Sequence, residues 1–422
     1  KIFFEIKKSL REFKRIKLRV KKLTIRKISN LNNSNFVISI LYIFIIEYRS
    51  NKEITLSIIF FMKKILLCSE FYYPQVGGVE IHNKILFDYF KKKKFKVYIA
   101  TSYSTKRLSK NNIFEFKIKG NFVRGYAGET KRYQDFLIKE NFDLIFFNAA
   151  QQWSFDLALP VIENINSKKI LFPCGFSRLG NYLYFPYFKL IKLKIDYFDE
   201  IICSYKTSKD YKFLSKIYRK KIHLIHNGSE KIVKKYNHKK LFREFKIEPN
   251  TQIFMNVSNI KFNKGQGRVI SLFDKIPFEN SKLFLMGQNH SNFYFIYIKI
   301  LIFLFNKKNK KKKIYLLQSD NKIKQKLYNI SNFFLFGSRL EYDPLVMYES
   351  IVSKTKFISN DVGSCKNAIN NNYGLISNDD KKKIQYILTK IKRNRVKNLS
   401  VKKFFWNTIC QKYFGVFKKY LK

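Results

Sequence analysis

From Met62 onward the chain alternates short apolar runs with stretches whose apolar residues recur at helical spacing, and few folds accept that alternation. A run such as Ile65–Cys68 is apolar at every position, so a strand made of it needs cover on both faces. Helices lying on both sides of a parallel sheet provide that cover. Val79, Asn83, Leu86 and Phe90 repeat at helical spacing after the first run. Val97–Ala100, Asp143–Phe147, Ile170–Phe172, Glu200–Cys203 and His223–Ile225 continue the strand series. A second series runs through Phe254–Val257, Leu283–Met286, Ile314–Leu317, Phe333–Phe336 and Phe357–Ser359. Residues 230–252 between them are polar, charged and contain Pro249, which marks a linker. The pattern predicts an α/β protein of two Rossmann-like halves, residues 62–235 and 236–399, with parallel sheets facing a cleft. Residues 400–422 read as a terminal helix that packs back toward the first half.

Composition narrows the function classes. The 422 residues hold 84 Lys and Arg against 30 Asp and Glu, a formal charge of +54. Hydrophobic residues make up 46% and aromatics 17%, enough to bury a core, so a disordered basic tail is excluded. Such a charge suggests a polyanionic partner. The excess is mainly Lys, however, and Asn, Ile, Phe and Tyr are inflated with it; these residues share A/T-rich codons, a second source of the charge. Residues 1–61 carry fourteen basic and four acidic side chains, and the rest of the chain keeps +44 without them. That segment reads either as an upstream extension outside the fold or as a basic membrane-surface arm. Five cysteines, at 68, 174, 203, 365 and 410, share no C-x-x-C spacing, which fits a reduced cytoplasmic compartment better than disulfides or zinc. No apolar run reaches the roughly eighteen residues needed to span a bilayer, and no signal-peptide pattern opens the chain.

Three motifs carry chemistry. SEFYYPQVGGVE places Gly77 and Gly78 between a strand and a helix, where backbone N–H groups can cradle a phosphate; the dinucleotide G-x-G-x-x-G spacing is absent. VSNIKFNKGQ sets Lys264 after the first strand of the second half, at the sheet edge where open α/β folds bind ligands. SRLEYDPLVMYES holds Glu341 and Glu349, with Asp343 and Pro344 at the start of a helix. Eight helical residues rise about 12 Å, too far for a glycosidase acid and nucleophile, which sit about 5.5 Å apart in retaining enzymes. Carboxylates that far apart suit separate hydroxyls of one extended ligand. Phe293–Phe305 followed by a lysine run, and the aromatic-basic stretch Tyr182–Tyr197, read either as buried helices with solvated lysine ends or as contacts with an anionic membrane.

In order and spacing these motifs resemble the retaining glycosyltransferases of family 4, which have the GT-B fold; the resemblance covers about residues 62–400. MKKILLCSEFYYPQVGGVEIHNKIL is similar to the family's first strand, glycine loop and helix. LFPCGFSRL with DYFDEIICSYKTSKD is similar to its mid-domain segment, and HLIHNGSE to the Asn-Gly turn, here Asn227 and Gly228. VSNIKFNKGQ and EYDPLVMYE match the donor-site lysine loop and the paired-glutamate motif. The resemblance implies that Gly77 and Gly78 face a donor diphosphate and that Lys264 neutralises it. It also implies that Glu341 contacts the donor sugar, Glu349 the ribose, and the main chain at Leu345 and Val346 the diphosphate, with Lys264 and Glu341 central to catalysis. Asn259 joins this donor-side set at a position where many members carry arginine. Cys174 stands where the family commonly has histidine, and receives no role. His82 is the acceptor-side candidate.

The activity implied is metal-independent transfer, with retention, of a sugar from a nucleotide-diphosphate donor to a glycan or lipid-linked acceptor, with no cofactor, in surface polysaccharide synthesis. The enzyme would be cytoplasmic or peripheral on the inner membrane face. Two other readings stay open: a nucleotide-sugar epimerase on the same fold, and a non-catalytic protein that binds polyanions or membranes. Nucleic acid is the least supported partner, because the aromatics follow helical spacing and no RNA-binding motif is present.

Overall fold

The structure is a computed structural model that describes residues 63–108, 111–231, 237–391 and 400–421; the readings of residues 1–61, and the boundary at 235, lie outside it. The first half holds β1 (Lys64–Cys68), α1 (Gly78–Lys92), β2 (Lys96–Ser102), β3 (Ile113–Phe116), β4 (Ile118–Asn121), β5 (Gly125–Gly128), α2 (Thr130–Lys139), β6 (Leu144–Asn148), α3 (Trp153–Asp156), β7 (Lys168–Phe172), α4 (Phe185–Lys194), β8 (Glu200–Cys203), α5 (Lys209–Leu214) and β9 (Ile222–Leu224). The second half holds α6 (His238–Glu244), β10 (Gln252–Val257), α7 (Gln266–Lys275), β11 (Ser281–Met286), α8 (Asn292–Lys308), β12 (Lys313–Leu317), α9 (Asn321–Ile330), β13 (Phe333–Phe336), α10 (Leu345–Ser353), β14 (Lys356–Ser359), α11 (Cys365–Ala368), β15 (Gly374–Ile376) and α12 (Asp380–Ile391). Helix α13 (Trp406–Phe417) follows.

Two parallel sheets result. Their strand orders are β3-β2-β1-β6-β7-β8-β9 and β12-β11-β10-β13-β14-β15. Each order reverses once, between β1 and β6 in the first sheet and between β10 and β13 in the second. In open α/β sheets such reversals leave a crevice outside the carboxyl ends of the strands.

Alternation along each strand explains the layers. Ile65, Leu67, Leu144 and Phe146 point to one face of the first sheet, where Leu86 and Phe90 of α1 and Ile409, Tyr413 and Phe417 of α13 cover them. Leu66, Cys68, Ile145 and Phe147 point the other way, into a cluster with Tyr133, Trp153 and Ile191. In the second sheet Phe254, Leu283 and Leu335 meet α7 and α8, while Met255, Phe284 and Phe334 meet α9 and α10. The last helix thus lies on the first sheet, more than 300 positions from β1 in sequence.

Two local readings are corrected. Residues 230–252 are more than a linker: α6 forms there, its N-terminus capped by Asn237, and Leu241 and Ile247 are buried in the second core. The short strands β3, β4, β5 and β15 fall outside the sequence pattern; β4 and β5 form a mostly exposed hairpin.

Two described segments at the passages between the halves, around Ser229 and around Phe404–Trp406, pair with each other. Ser229 N–H donates to the Phe404 carbonyl at 2.8 Å, and Trp406 N–H to that of Ser229 at 2.9 Å. No helix of the described residues is long and apolar enough to cross a membrane.

Candidate functional site

The reversal point of the second sheet assembles the donor-side candidates. The loop after β10 carries Lys264 and the loop after β13 carries Glu341. Lys264 Nζ donates to Glu341 Oε1 at 2.5 Å, with the side chains 22% and 12% exposed. Backbone packing enforces the meeting. Gly265 has φ +64, and a Cβ there would stand 2.1 Å from the Gly337 carbonyl oxygen. The two loops touch main chain to main chain, which only glycine permits in this left-handed conformation. Arg339 N–H bonds the Asn263 carbonyl at 2.8 Å and closes the same junction. A pocket lined by Phe262, Gly265, Arg268, Tyr294, Gly337 and Arg339 opens beside this contact and includes neither Lys264 nor Glu341.

Helix α10 begins at Leu345, with Pro344 in the extended N-cap position. The N–H groups of Leu345 and Val346 fall in its first turn, where an α-helix offers no internal acceptor. That places two donors and the positive end of a helix dipole within five residues of Glu341 along the chain. Glu349 lies in the second turn, held by Lys324 Nζ at 2.7 Å and the Tyr328 hydroxyl at 3.0 Å. Only part of the Glu341–Glu349 interval is therefore helical. Asn259 sits half-buried after β10, its carbonyl accepting from Gln266 at 3.0 Å. Buried Asn263 Oδ1 and Gln266 Oε1 have no hydrogen-bond partner among the described residues.

The first sheet contributes its own reversal point. Gly77 caps α1 and Gly78 is the first helical residue. The Glu80 carboxylate folds back over Gly77, so that a Cβ on Gly77 would lie 2.4 Å from it, while Gly78 faces open space. Glu70, after β1, accepts from the Thr101 hydroxyl on its carbonyl and donates its N–H to the Gln152 side chain, both at 3.1 Å. Burial, then Asp156 and Glu80, push its carboxyl up to about 7. Burial also raises Asp156 to about 6, against the hydroxyls of Tyr126 at 2.5 Å and Tyr187 at 2.9 Å, which donate to it. This acidic corner, absent from the sequence reading, comes together only through the β1–β6 pairing.

His82 is corrected by the structure. It does not face a cleft: it is 2% exposed, under α13, with its ring 5.1 Å from that of Tyr413, 5.3 Å from Phe172 and 5.7 Å from Trp406. Asn148 Nδ2 lies 3.0 Å from Nδ1, and burial lowers the imidazole to about 3, keeping it neutral. Cys174 belongs to the same network, its thiol donating to Asn148 Oδ1 at 3.1 Å.

Residues with no assigned role in the sequence reading join the halves. Tyr342, next to Glu341, donates its hydroxyl to Asp210 at 2.6 Å. Buried Asp343 accepts from Asn227 N–H at 2.7 Å and from the hydroxyls of Tyr348 and Ser364, both at 2.6 Å. His226 stacks between Tyr205 and Tyr348, 5.9 and 5.3 Å away. The motif EYDP signals these contacts only as polar residues at a helix start. Among the described residues no group of three or more His, Cys, Asp or Glu side chains is placed to hold a metal ion.

Residues 237–402, which contain Lys264, Glu341 and Glu349, match the family Glycosyl transferases group 1. No curated protein matches the chain. Among solved structures, a glycosyltransferase from Rickettsia africae superposes with a TM-score of 0.68 at 19% identity, covering 86% of this chain and 99% of that one. Sucrose-phosphate synthase from Thermosynechococcus elongatus gives 0.67 at 14% identity, covering 85% and 98%. HepE of Anabaena, solved in complex with UDP-glucose, gives 0.66 at 14% identity, covering 84% and 99%. The second half of the chain thus carries a glycosyl transferases group 1 match, within a described chain whose two parallel-sheet domains have the GT-B fold.

Proposed function

We propose that the protein is a retaining glycosyltransferase that moves a sugar from a nucleoside-diphosphate donor to a glycan or lipid-linked acceptor. The observation that carries this reading is the meeting of Lys264 and Glu341 at the β10–β13 reversal, with α10 starting four residues after Glu341. An ammonium and two outward N–H groups suit a diphosphate that gains charge as its bond to the sugar breaks, and such preorganised donors stabilise that charge without a divalent ion. Glu341 would hold the sugar and Glu349 the ribose hydroxyls, each carboxylate positioned by its own lysine. Gly77 and Gly78 would close over the diphosphate from the first sheet. UDP-glucose in the Anabaena structure and the sucrose-phosphate synthase neighbour support a nucleotide-sugar donor. A role in surface polysaccharide synthesis would follow from a lipid-linked acceptor.

The test is a thermal-shift panel of nucleotide sugars, since a ligand of the folded state raises the melting temperature, followed by product analysis of the anomeric configuration with the best donor. Stabilisation by a nucleotide sugar and transfer with retention are expected. No stabilisation by any donor would sink the reading, and turnover of the sugar nucleotide without an acceptor would replace it with an epimerase.

A further inference from the structure

Helix α8 lies on the second sheet with one face buried and the other bare. Ile298, Ile302 and Phe305 sink into the core. Phe293 is 91% exposed and Phe303 66%, and Ile296, Tyr297, Ile300 and Leu304 are all at least half exposed. These six recur at the three- and four-residue steps of one helical face. The stripe therefore runs the length of a helix whose opposite side already satisfies the core. At its end Lys307, Lys308, Lys310 and Lys311 are exposed, while Lys312 and Lys313 turn inward to backbone carbonyls. No acidic residue occurs from Asn280 to Ser319.

We propose that α8 docks the protein on an anionic lipid surface, with its apolar stripe entering the headgroup region and the lysines at its end facing the lipid charge. The chemistry of the patch selects this occupant. An interfacial helix needs an apolar face and cationic flanks, and binding grows with both. A second copy of the chain would cover the stripe but would bring the same lysines and no carboxylate from residues 280–319 to meet them. A bilayer of anionic lipid satisfies the apolar and the charged parts together. The helix is seventeen residues long and lies along the domain surface, which suits lying in the interface. This inference goes beyond the transferase reading and does not depend on it.

The experiment is cosedimentation of the full chain with vesicles of phosphatidylcholine mixed with phosphatidylglycerol, and with vesicles of phosphatidylcholine alone. The wild type is expected to pellet with the mixed vesicles and much less with the neutral ones. Replacing Phe293→Ser with Phe303→Ser should weaken vesicle binding by at least about tenfold, and Lys307→Gln with Lys308→Gln should do so by several-fold and flatten the salt dependence. All four side chains are exposed, so melting temperatures and nucleotide-sugar stabilisation should match the wild type. Unchanged vesicle binding in the serine pair would overturn the proposal, including the case in which residues 1–61 carry the contact. Loss of self-association in the serine pair by sedimentation velocity, with vesicle binding intact, would assign the stripe to a second copy instead. Absence of a nucleotide-sugar response in every variant would count against the transferase reading and leave this one standing.

Discussion

The Tyr342 hydroxyl donates to Asp210 at 2.6 Å and accepts from Ser204 N–H at 3.1 Å, which fastens the loop carrying Glu341 to the first sheet. The tyrosine ring rests on Gly175, where a Cβ would come within 2.6 Å of it. The donor-side loop is therefore positioned by both halves. Tyr342→Phe removes the hydroxyl and leaves the buried Asp210 carboxylate short of a donor. We expect a stability loss of about 1–3 kcal/mol, read from urea unfolding, together with weaker donor binding by titration. An unchanged unfolding midpoint would show that this contact contributes nothing to joining the halves.

Lys264 and Glu341 form one unit, so their substitutions should not add. Lys264→Ala or Glu341→Gln should lower kcat/KM by roughly 100-fold or more, and the double variant should fall little further. Steady-state rates with the donor found by thermal shift decide this. Wild-type rates in both single variants would remove the pair from the active site.

Gly265→Ala tests the close approach of the two loops. The new Cβ meets the Gly337 carbonyl in a conformation that strains any other residue. We expect a loss of about 2–4 kcal/mol and loss of donor binding, because the clash pushes Lys264 away from Glu341. Calorimetry and a nucleotide-sugar titration check both effects. Retained donor affinity would show that the junction can give without moving the lysine.

His82 makes stability depend on pH in a direction that can be worked out. Its folded value of about 3 lies below the unfolded value near 6.5, so the unfolded chain binds the extra proton between them. Stability is complete above about pH 6.5 and declines as the pH falls toward 3, by roughly 3 kcal/mol by pH 4. His82→Gln should remove that slope, although its stability at neutral pH will be lower for lack of the native packing. Denaturant unfolding from pH 7 to 4 measures the difference, and equal slopes would show that His82 takes up its proton as readily in the folded chain as in the unfolded one.

Much of the architecture is legible along the chain because parallel strands buried on both faces need runs such as ILLC and LIFF, which few other structures use. The same physics hides β4 and β5. Their residues are Ile-Lys-Gly-Asn and Gly-Tyr-Ala-Gly, mostly exposed, and neither a buried run nor alternation marks them. Helix α6 is hidden for a related reason: HKKLFRE has few apolar positions from which to read a period, and its burial depends on a sheet formed later in the chain. At the site, Lys264 and Glu341 can be named from their motifs. The corner of Glu70, Glu80 and Asp156 cannot, because its members are ordinary surface residue types until β1 and β6 pair.

The sequence alone determines the strand and helix periods, the two-part division and the motifs that bear Lys264, Glu341 and Glu349, since these depend on residues close together along the chain. Tertiary structure decides what those residues meet. It seals His82 beneath a helix more than 300 residues away, joins Tyr342 to Asp210 across the two halves, and turns one face of α8 inward while leaving Phe293 and Phe303 bare. Burial, and with it the charge state of a histidine or the exposure of a phenylalanine, is set by neighbours that only folding brings together.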